Sequence, residues 1–288
     1  MYPASFAYHA PRSVEEAIAL LAEHGDEAKL LAGGHSLLPT MKLRLAQPGH
    51  LIDLAGVAGL QGIREEGQRI VIGALTTHDE LASSSLIRAK LTALAEAAAV
   101  VGDPQVRNRG TLGGSAAHAD PNADEPVALV ALEAVLVMVG PKGRREVPAV
   151  QFFEDIFTTA LGADEVLTEI VVPVTSGKLA SAYKKLPHPA SGFVVVSCAA
   201  VLEGDGQRLQ AARLGMGGLG GAPVRAAAAE ARLAGQAPSE VTLAAAAALV
   251  SEGTDPADDL YASAAYKRAV AQVYARQALT AAAERLRA

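Results

Sequence analysis

Apolar residues recur at helical spacing in VEEAIALLAEH, residues 14–24. Ser13 stands before this run, Glu16 three positions later and Gly25 just past its end, so the pattern predicts a first helix with a capping box and a glycine stop. A short apolar strand from Lys29 to Ala32 follows. RIVIGALTTHDEL predicts a strand from Ile70 to Ala74 and a helix capped at Thr76 or Thr77, with Asp79 and Glu80 complementing its first-turn dipole. A longer helix, Leu86 to Val101, is predicted up to GDP. The run VALVALEAVLVMV is read as ending in a strand from Ala134 to Val139, and PKGRREV as a hairpin turn. Val166 to Val172 forms a strand closed by Pro173. From about Ser176 the texture changes: strands at Ser181–Leu186, Phe193–Leu202 and Leu209–Leu214 precede alanine-rich helices at Val224–Ala234, Ser239–Ser251 and Ala262–Arg287. That order of elements is an α+β arrangement behind an alternating α/β region.

Composition narrows the function classes. Of 288 residues, half are hydrophobic and 19% charged, enough for one large or two ordinary cores and unlike a disordered chain. Asp and Glu (31) outnumber Lys and Arg (25), and Trp is absent, so neither a basic footprint nor a stacking platform for nucleic acid is present. Mean hydropathy is +0.23, yet apolar runs such as Val194 to Leu202 stop far short of the ~20 residues of a membrane span. The N-terminal MYPASFAYHAPRS has no export signature, which leads to an expected cytoplasmic location. A single cysteine, Cys198, excludes internal disulfides and leaves any iron-sulfur cluster to another chain. Histidines 9, 24, 35, 50, 78, 118 and 188 show no ligand spacing, so no metal site is expected.

Two glycine pairs carry the candidate chemistry. Ala32-Gly33-Gly34-His35-Ser36-Leu37-Leu38-Pro39 follows the first buried strand, and Thr111-Leu112-Gly113-Gly114-Ser115 lies in a second, distant segment that runs on through His118 to Asp124. Adjacent glycines bare the backbone, so successive N–H groups can converge on a pyrophosphate; a tight strand-to-helix turn accounts for the same residues. Two Gly-Gly-hydroxyl turns suit the two ends of a diphosphate, with Asp124 near enough in sequence for a ribose hydroxyl. A third run, Gly215-Met216-Gly217-Gly218-Leu219-Gly220, satisfies G-x-G-x-x-G and has Glu240 about 20 residues on. No strand follows it to close a βαβ unit, so it reads as a glycine-rich turn with Pro223 opening a helix.

AGGHSLLP (32–39) together with DPQVRNRGTLGGSAAHADPNAD (103–124) resembles the FAD-binding medium subunit of molybdenum hydroxylases, above all the aerobic carbon monoxide dehydrogenase type, with xanthine dehydrogenase FAD-binding subunits as further relatives. The likeness extends to SFAYHAPRSVEEAIALL, MKLRLAQPGHLIDLAG, VIGALTTH, FFEDIFTTAL and YKKLPHPASGF. It implies two α/β subdomains of the vanillyl-alcohol-oxidase or PCMH-like type clasping FAD, about residues 1–55 and 56–176, followed by a C-terminal α+β domain at 177–288 with an antiparallel sheet and helices. By the same resemblance Ala32, Gly33, Gly34, His35, Ser36, Leu37 and Leu38 form the first pyrophosphate loop, and Thr111, Gly113, Gly114 and Ser115 the second. His118 and Asp124 take the diphosphate and ribose side. Val101 and Gly102 lie beside the flavin, with Leu161 and Leu167 as an apolar wall, although all four also suit plain core. Lys185 or its neighbour Lys184 matches a lysine near the isoalloxazine, and Phe193, in a Gly-Phe pair where relatives often have Asp-Tyr, matches a ring-covering position.

The resemblance further implies a heterotrimer, itself expected to dimerise: a large subunit with molybdopterin, where substrate is oxidised, and a small subunit with two [2Fe-2S] clusters. This chain is then the electron exit, from FAD to quinone, NAD or oxygen. Carbon monoxide leads as substrate; N-heterocycles, purines and aldehydes stay open, because the substrate binds the large subunit. A stand-alone FAD oxidase and a scaffold without flavin are the rival classes. Gly34→Val and Gly114→Val are each expected to abolish FAD retention by placing Cβ in the path of the pyrophosphate.

Overall fold

The computed structural model describes residues 1–174 and 177–288; the predicted change of texture at Ser176 falls outside them. Three larger sheets and one two-stranded sheet organise the described residues. The first unit runs β1 (Ala7–His9), α1 (Val14–His24), β2 (Ala28–Leu31), α2 (Leu37–Lys42), β3 (His50–Asp53), and its strands form a parallel sheet in the order β1-β3-β2. α1 begins and ends where the sequence places it, but only half of the capping box forms. Ser13 Oγ accepts the Glu16 N–H, whereas the Glu16 carboxylate reaches past Ser13 to the N–H of Arg12.

The second unit contains β4 (Ile63–Glu66), β5 (Arg69–Gly73), α3 (His78–Ser83), α4 (Ser85–Lys90), α5 (Thr92–Ala99), α6 (Pro104–Arg107), α7 (Leu112–His118), α8 (Glu125–Ala131), β6 (Val135–Gly140), β7 (Gly143–Pro148), α9 (Ala149–Phe152), β8 (Phe153–Asp155), β9 (Thr158–Thr159) and β10 (Val166–Pro173). Its main sheet, β4-β5-β10-β6-β7, is antiparallel with the late strand β10 at its centre. Thr77 caps α3 through a complete capping box with Glu80; Thr76 is buried and bonds both backbone groups of Gly62 instead. The helix predicted from Leu86 to Val101 is two helices. The chain breaks at Leu91, whose backbone leaves the helical region while its side chain enters the core, so packing overrides a sequence that holds no Gly or Pro there. VALVA, read as the start of an apolar run toward a strand, closes α8, and the turn to β6 passes through Glu133 in the left-handed region.

The last unit is the sheet β11 (Leu179–Pro187), β12 (Val194–Gly204), β13 (Leu209–Gly217), β14 (Val224–Arg225) with α10 (Ala227–Leu233), α11 (Glu240–Ala247) and α12 (Ala264–Arg287). Pro223 does not open a helix: Val224 and Arg225 pair with Met216 and Gly215 first. Both faces of this sheet are covered, which is why β12 reads as an unbroken apolar run. Ala182, Cys198 and Ala200 face the α10–α12 layer, while Tyr183, Ala199 and Val201 join the core of the second unit. Burial pushes the Cys198 thiol up, so it is an inert core side chain. Arg285 of α12 bonds Glu96 of α5 and the Ser181 carbonyl, and Glu96 in turn accepts the Tyr183 N–H. Among the described residues no helix is long and apolar enough to cross a membrane.

Candidate functional site

A cavity of about 520 Å³ opens where the first two units meet. Of the residues singled out in the sequence, Ala32, Gly33, Gly34, His35, Ser36, Leu37, Val101, Thr111, Gly113, Gly114, Ser115, His118, Asp124, Leu161, Leu167 and Phe193 line it. Leu38, Gly102, Lys184 and Lys185 do not. Leu38 turns back beneath Gly34, and Gly102 packs on Val106.

The two glycine motifs touch backbone to backbone. A Cβ on Gly33 would stand 2.2 Å from the Arg109 carbonyl oxygen and 2.7 Å from Gly110 Cα, and one on Gly114 would lie 3.6 Å from Ala32 Cβ. The loops are otherwise unlike. Among the described residues the N–H groups of Gly33, Gly34, His35 and Ser36 have no partner in the chain, and Ser36 caps nothing. In the second motif Leu112, Gly113, Gly114 and Ser115 donate to Thr76 O, Ala74 O, Thr111 Oγ1 and Thr111 O. The first loop therefore presents free donors, and the second gives close approach and small surface.

This changes the reason glycine is needed. Gly34 has φ +78° and its Cβ would meet its own neighbours Leu38 and Leu31; a Cβ on Gly114 would stand 2.8 Å from the capping Thr111 Oγ1. Valine at either position therefore strains or uncaps the loop through the protein's own atoms. The G-x-G-x-x-G run serves packing: Gly215 lies against the Val127 carbonyl of α8, and Gly218 turns against the Val195 carbonyl.

Behind the second loop is a polar pair the sequence did not reveal. His78, buried and lining the cavity, holds the Glu125 carboxylate through Nδ1 at 2.5 Å, while its backbone N–H bonds the Gly110 carbonyl. Burial opposes protonation of this imidazole, but the charge and hydrogen bond of Glu125 outweigh it and the pKa is raised. Lys29, Thr40, Val106, Asp120 and Phe157 are among the other lining residues that sequence reading missed. Val106, Asp120 and Phe157 lie within the segments 103–124 and FFEDIFTTAL but carry no glycine or hydroxyl signal of their own, and Lys29 and Thr40 stand outside any motif.

Lys185 is a second-layer cation. Its Nζ reaches Asp124 at 2.8 Å and the carbonyls of Val100 (3.0 Å) and Gly192 (2.8 Å), and its side chain is 8% exposed. Lys184 projects from the opposite face of β11 by strand alternation. Tyr183 OH donates to Asp124 at 2.8 Å. Burial raises the Asp124 carboxyl to about 6, against the lowering effects of Lys185 and Tyr183 and with help from neighbouring Glu125. Because the folded value lies above the 3.8 of a free side chain, the native state holds this proton more tightly. Its contribution to stability is full below pH 3.8 and is lost as pH rises to about 6, on the order of 3 kcal/mol. Asp124→Asn should flatten the melting-temperature profile across that window; an unchanged slope would assign the titration elsewhere.

A clasped cavity between a small parallel α/β unit and an antiparallel sheet unit, with bare glycine loops from each, defines a dinucleotide-binding flavoprotein domain. Residues 4–175 match the family described as FAD binding domain in molybdopterin dehydrogenase, and residues 181–282 match the CO dehydrogenase flavoprotein C-terminal domain. The chain belongs to this family of oxidoreductase flavoproteins. The carbon monoxide dehydrogenase medium chain of Hydrogenophaga pseudoflava is 45% identical over 98% of both chains, and that of Afipia carboxidovorans 40% identical over 97% of both. The solved carbon monoxide dehydrogenase from Hydrogenophaga pseudoflava that lacks the Mo-pyranopterin moiety superposes with a TM-score of 0.95 at 47% identity, covering 99% of each chain.

Proposed function

We propose that this chain is the FAD-binding electron-transfer subunit of a three-subunit molybdenum hydroxylase, most similar in role to the carbon monoxide dehydrogenases. A large subunit would carry molybdopterin and oxidise the substrate, a small one two [2Fe-2S] clusters, and electrons would leave from this chain to an external acceptor. Identity of 45% along nearly the whole length supports carbon monoxide over an N-heterocycle, purine or aldehyde substrate. The proposal includes a cytoplasmic dimer of heterotrimers, with residues 1–176 as the flavin domain and 177–288 as the C-terminal domain. Support for partners comes from apolar side chains beside the cavity that stay exposed: Val100 (44%), Phe157 (56%) and Phe193 (50%).

The observation that carries the reading is the backbone-to-backbone meeting of the two glycine loops around one cavity. Its residues fit a dinucleotide. The free N–H groups of Gly33 to Ser36 and the hydroxyls of Ser36 and Ser115 would hold the pyrophosphate, with the buried His78–Glu125 pair in the wall behind the second loop. Val101, Leu161 and Leu167 would exclude water from the apolar part, and Phe193 would cover it at the mouth. Asp124 offers a carboxylate whose ionisation Lys185 sustains; Lys185 thereby positions Asp124 and the Gly192 carbonyl rather than touching the ligand itself. FAD, when bound, supplies the exchange between single-electron and two-electron carriers.

The test is the visible spectrum of the full chain, alone and co-expressed with its partner subunits, after mixing with FAD or FMN and desalting. A retained band specific to FAD is expected. Loss of flavin from both preparations, or equal retention of FMN, would remove the dinucleotide reading.

A further inference from the structure

Away from the flavin cavity, the fold gathers three histidines that lie far apart in sequence, against the expectation of no metal-ligand set. His9 ends β1, His24 ends α1 and His50 begins β3. β1 and β3 are parallel neighbours with Ala7 opposite His50, so His9 and His50 lie diagonally on one face of the sheet, the face onto which the last turn of α1 brings His24. The His24 and His50 rings stack at 3.7 Å with 12° between planes, and His9 lies 5.0 and 5.2 Å from them. His9 Nε2 and His50 Nδ1 are 3.0 Å apart, and one nitrogen from each ring lies within 4.8 Å of the others.

We propose that His9, His24 and His50 form a binding site for one borderline divalent transition-metal ion, with Zn²⁺ as the reference case. Three imidazole nitrogens plus a water complete the four-coordinate shell such ions take, and nitrogen donors without carboxylates select against Mg²⁺ and Ca²⁺. Among the described residues no carboxylate hydrogen-bonds any of the three rings, and the one hydrogen bond their nitrogens make is the His9–His50 contact within the cluster. Zn–N bonds of about 2.0–2.1 Å place ligand nitrogens about 3.3 Å apart. Coordination would replace the His9–His50 hydrogen bond, and rotation about the Cβ–Cγ bonds would turn the stacked His24 and His50 rings so that their in-plane lone pairs converge on the ion. All three side chains are half-buried, which leaves an entry path and a water position.

The site is separate from the cavity, which none of the three lines. Through β3 it lies at the end away from the Gly33–Gly34 loop: His50 pairs with Ala28 at the start of β2, while Asp53 pairs with Leu31 just before that loop. A bound ion would tie β1, α1 and β3 together and stiffen the unit that presents the free N–H groups.

The experiment is calorimetric titration of Zn²⁺ into the full, tag-free chain after removal of adventitious metal by EDTA and dialysis. One ion per chain is expected, with micromolar or tighter affinity that weakens as pH falls and the imidazoles protonate. His24→Asn and His50→Asn should each weaken it by about 100-fold or more, since loss of a ligand exceeds the effect of losing a ligand's supporting contact. His188→Asn, outside the cluster, should not. His24 sits on the last turn of a surface helix, so its variant keeps the fold; circular dichroism checks this, and His9→Gln replaces His50→Asn if the latter unfolds. Absence of binding at millimolar Zn²⁺, or affinity equal to wild type in the cluster variants, overturns the site.

Discussion

Gly33→Val is expected to abolish flavin retention, with affinity for FAD falling at least about 100-fold, or about 2.8 kcal/mol. The physical cause is the Arg109 carbonyl, which a Cβ at position 33 would approach to 2.2 Å, with Gly110 Cα at 2.7 Å. Both atoms are backbone, so neither can swing aside as a flexible side chain does. The two units must separate or one loop must move, and in either case the wall of the cavity opens. Overpacking of this kind also destabilises the fold, by roughly 1–3 kcal/mol. Flavin fluorescence titration, with circular dichroism to follow folding, separates the two effects. Gly220→Ala is the control, because its nearest neighbour is the Ala222 carbonyl at 3.8 Å. It should bind FAD as the unaltered chain does even though it breaks the G-x-G-x-x-G pattern. Impaired binding in Gly220→Ala would mean the third glycine run is part of a ligand site after all.

Lys185→Met is expected to be the most destabilising single change at the site. It strands the Asp124 carboxylate, 5% exposed, in the interior and leaves the Val100 and Gly192 carbonyls without their donor. Breaking one partner out of a buried pair is worth about 3–5 kcal/mol. For a chain of this size that lowers the melting temperature by roughly 10 °C. The double variant Lys185→Met with Asp124→Leu removes both charges and should recover more than half of the loss. If the double variant is as unstable as the sum of its parts, the pair is not energetically coupled and Lys185 acts through the carbonyls alone. Lys184→Met, on the other face of β11, should be nearly neutral.

Much of the architecture was legible because it is written in local chemistry. Ser13 and Thr77 cap helices through hydrogen bonds spanning three residues, and a window of four letters contains that signal; Thr111 caps α7 in the same way, although its segment reads in the sequence only as a loop. The period-two and unbroken apolar runs placed β5, β10 and β12 within a few residues of where they lie. The glycine pairs, with the resemblance they carry, located most of the cavity wall. Local windows failed at Leu91, where core packing divides a helix that propensity would continue, and at Pro223, where a short strand pairs before α10 begins.

By itself the sequence determined the caps, the strand pattern, the two glycine loops and the family, because each of these depends on residues close together in short segments. Only the tertiary structure decided that the first loop offers its N–H groups while the second spends its own on Ala74, Thr76 and Thr111. It alone joined His78 to Glu125, Lys185 to Asp124, and His9 and His24 to His50. Such pairs span 41 to 61 positions where a hydrogen bond is involved, and the energy that selects them arises from burial and charge in the folded interior. No stretch of chain short enough to have a pattern contains both partners.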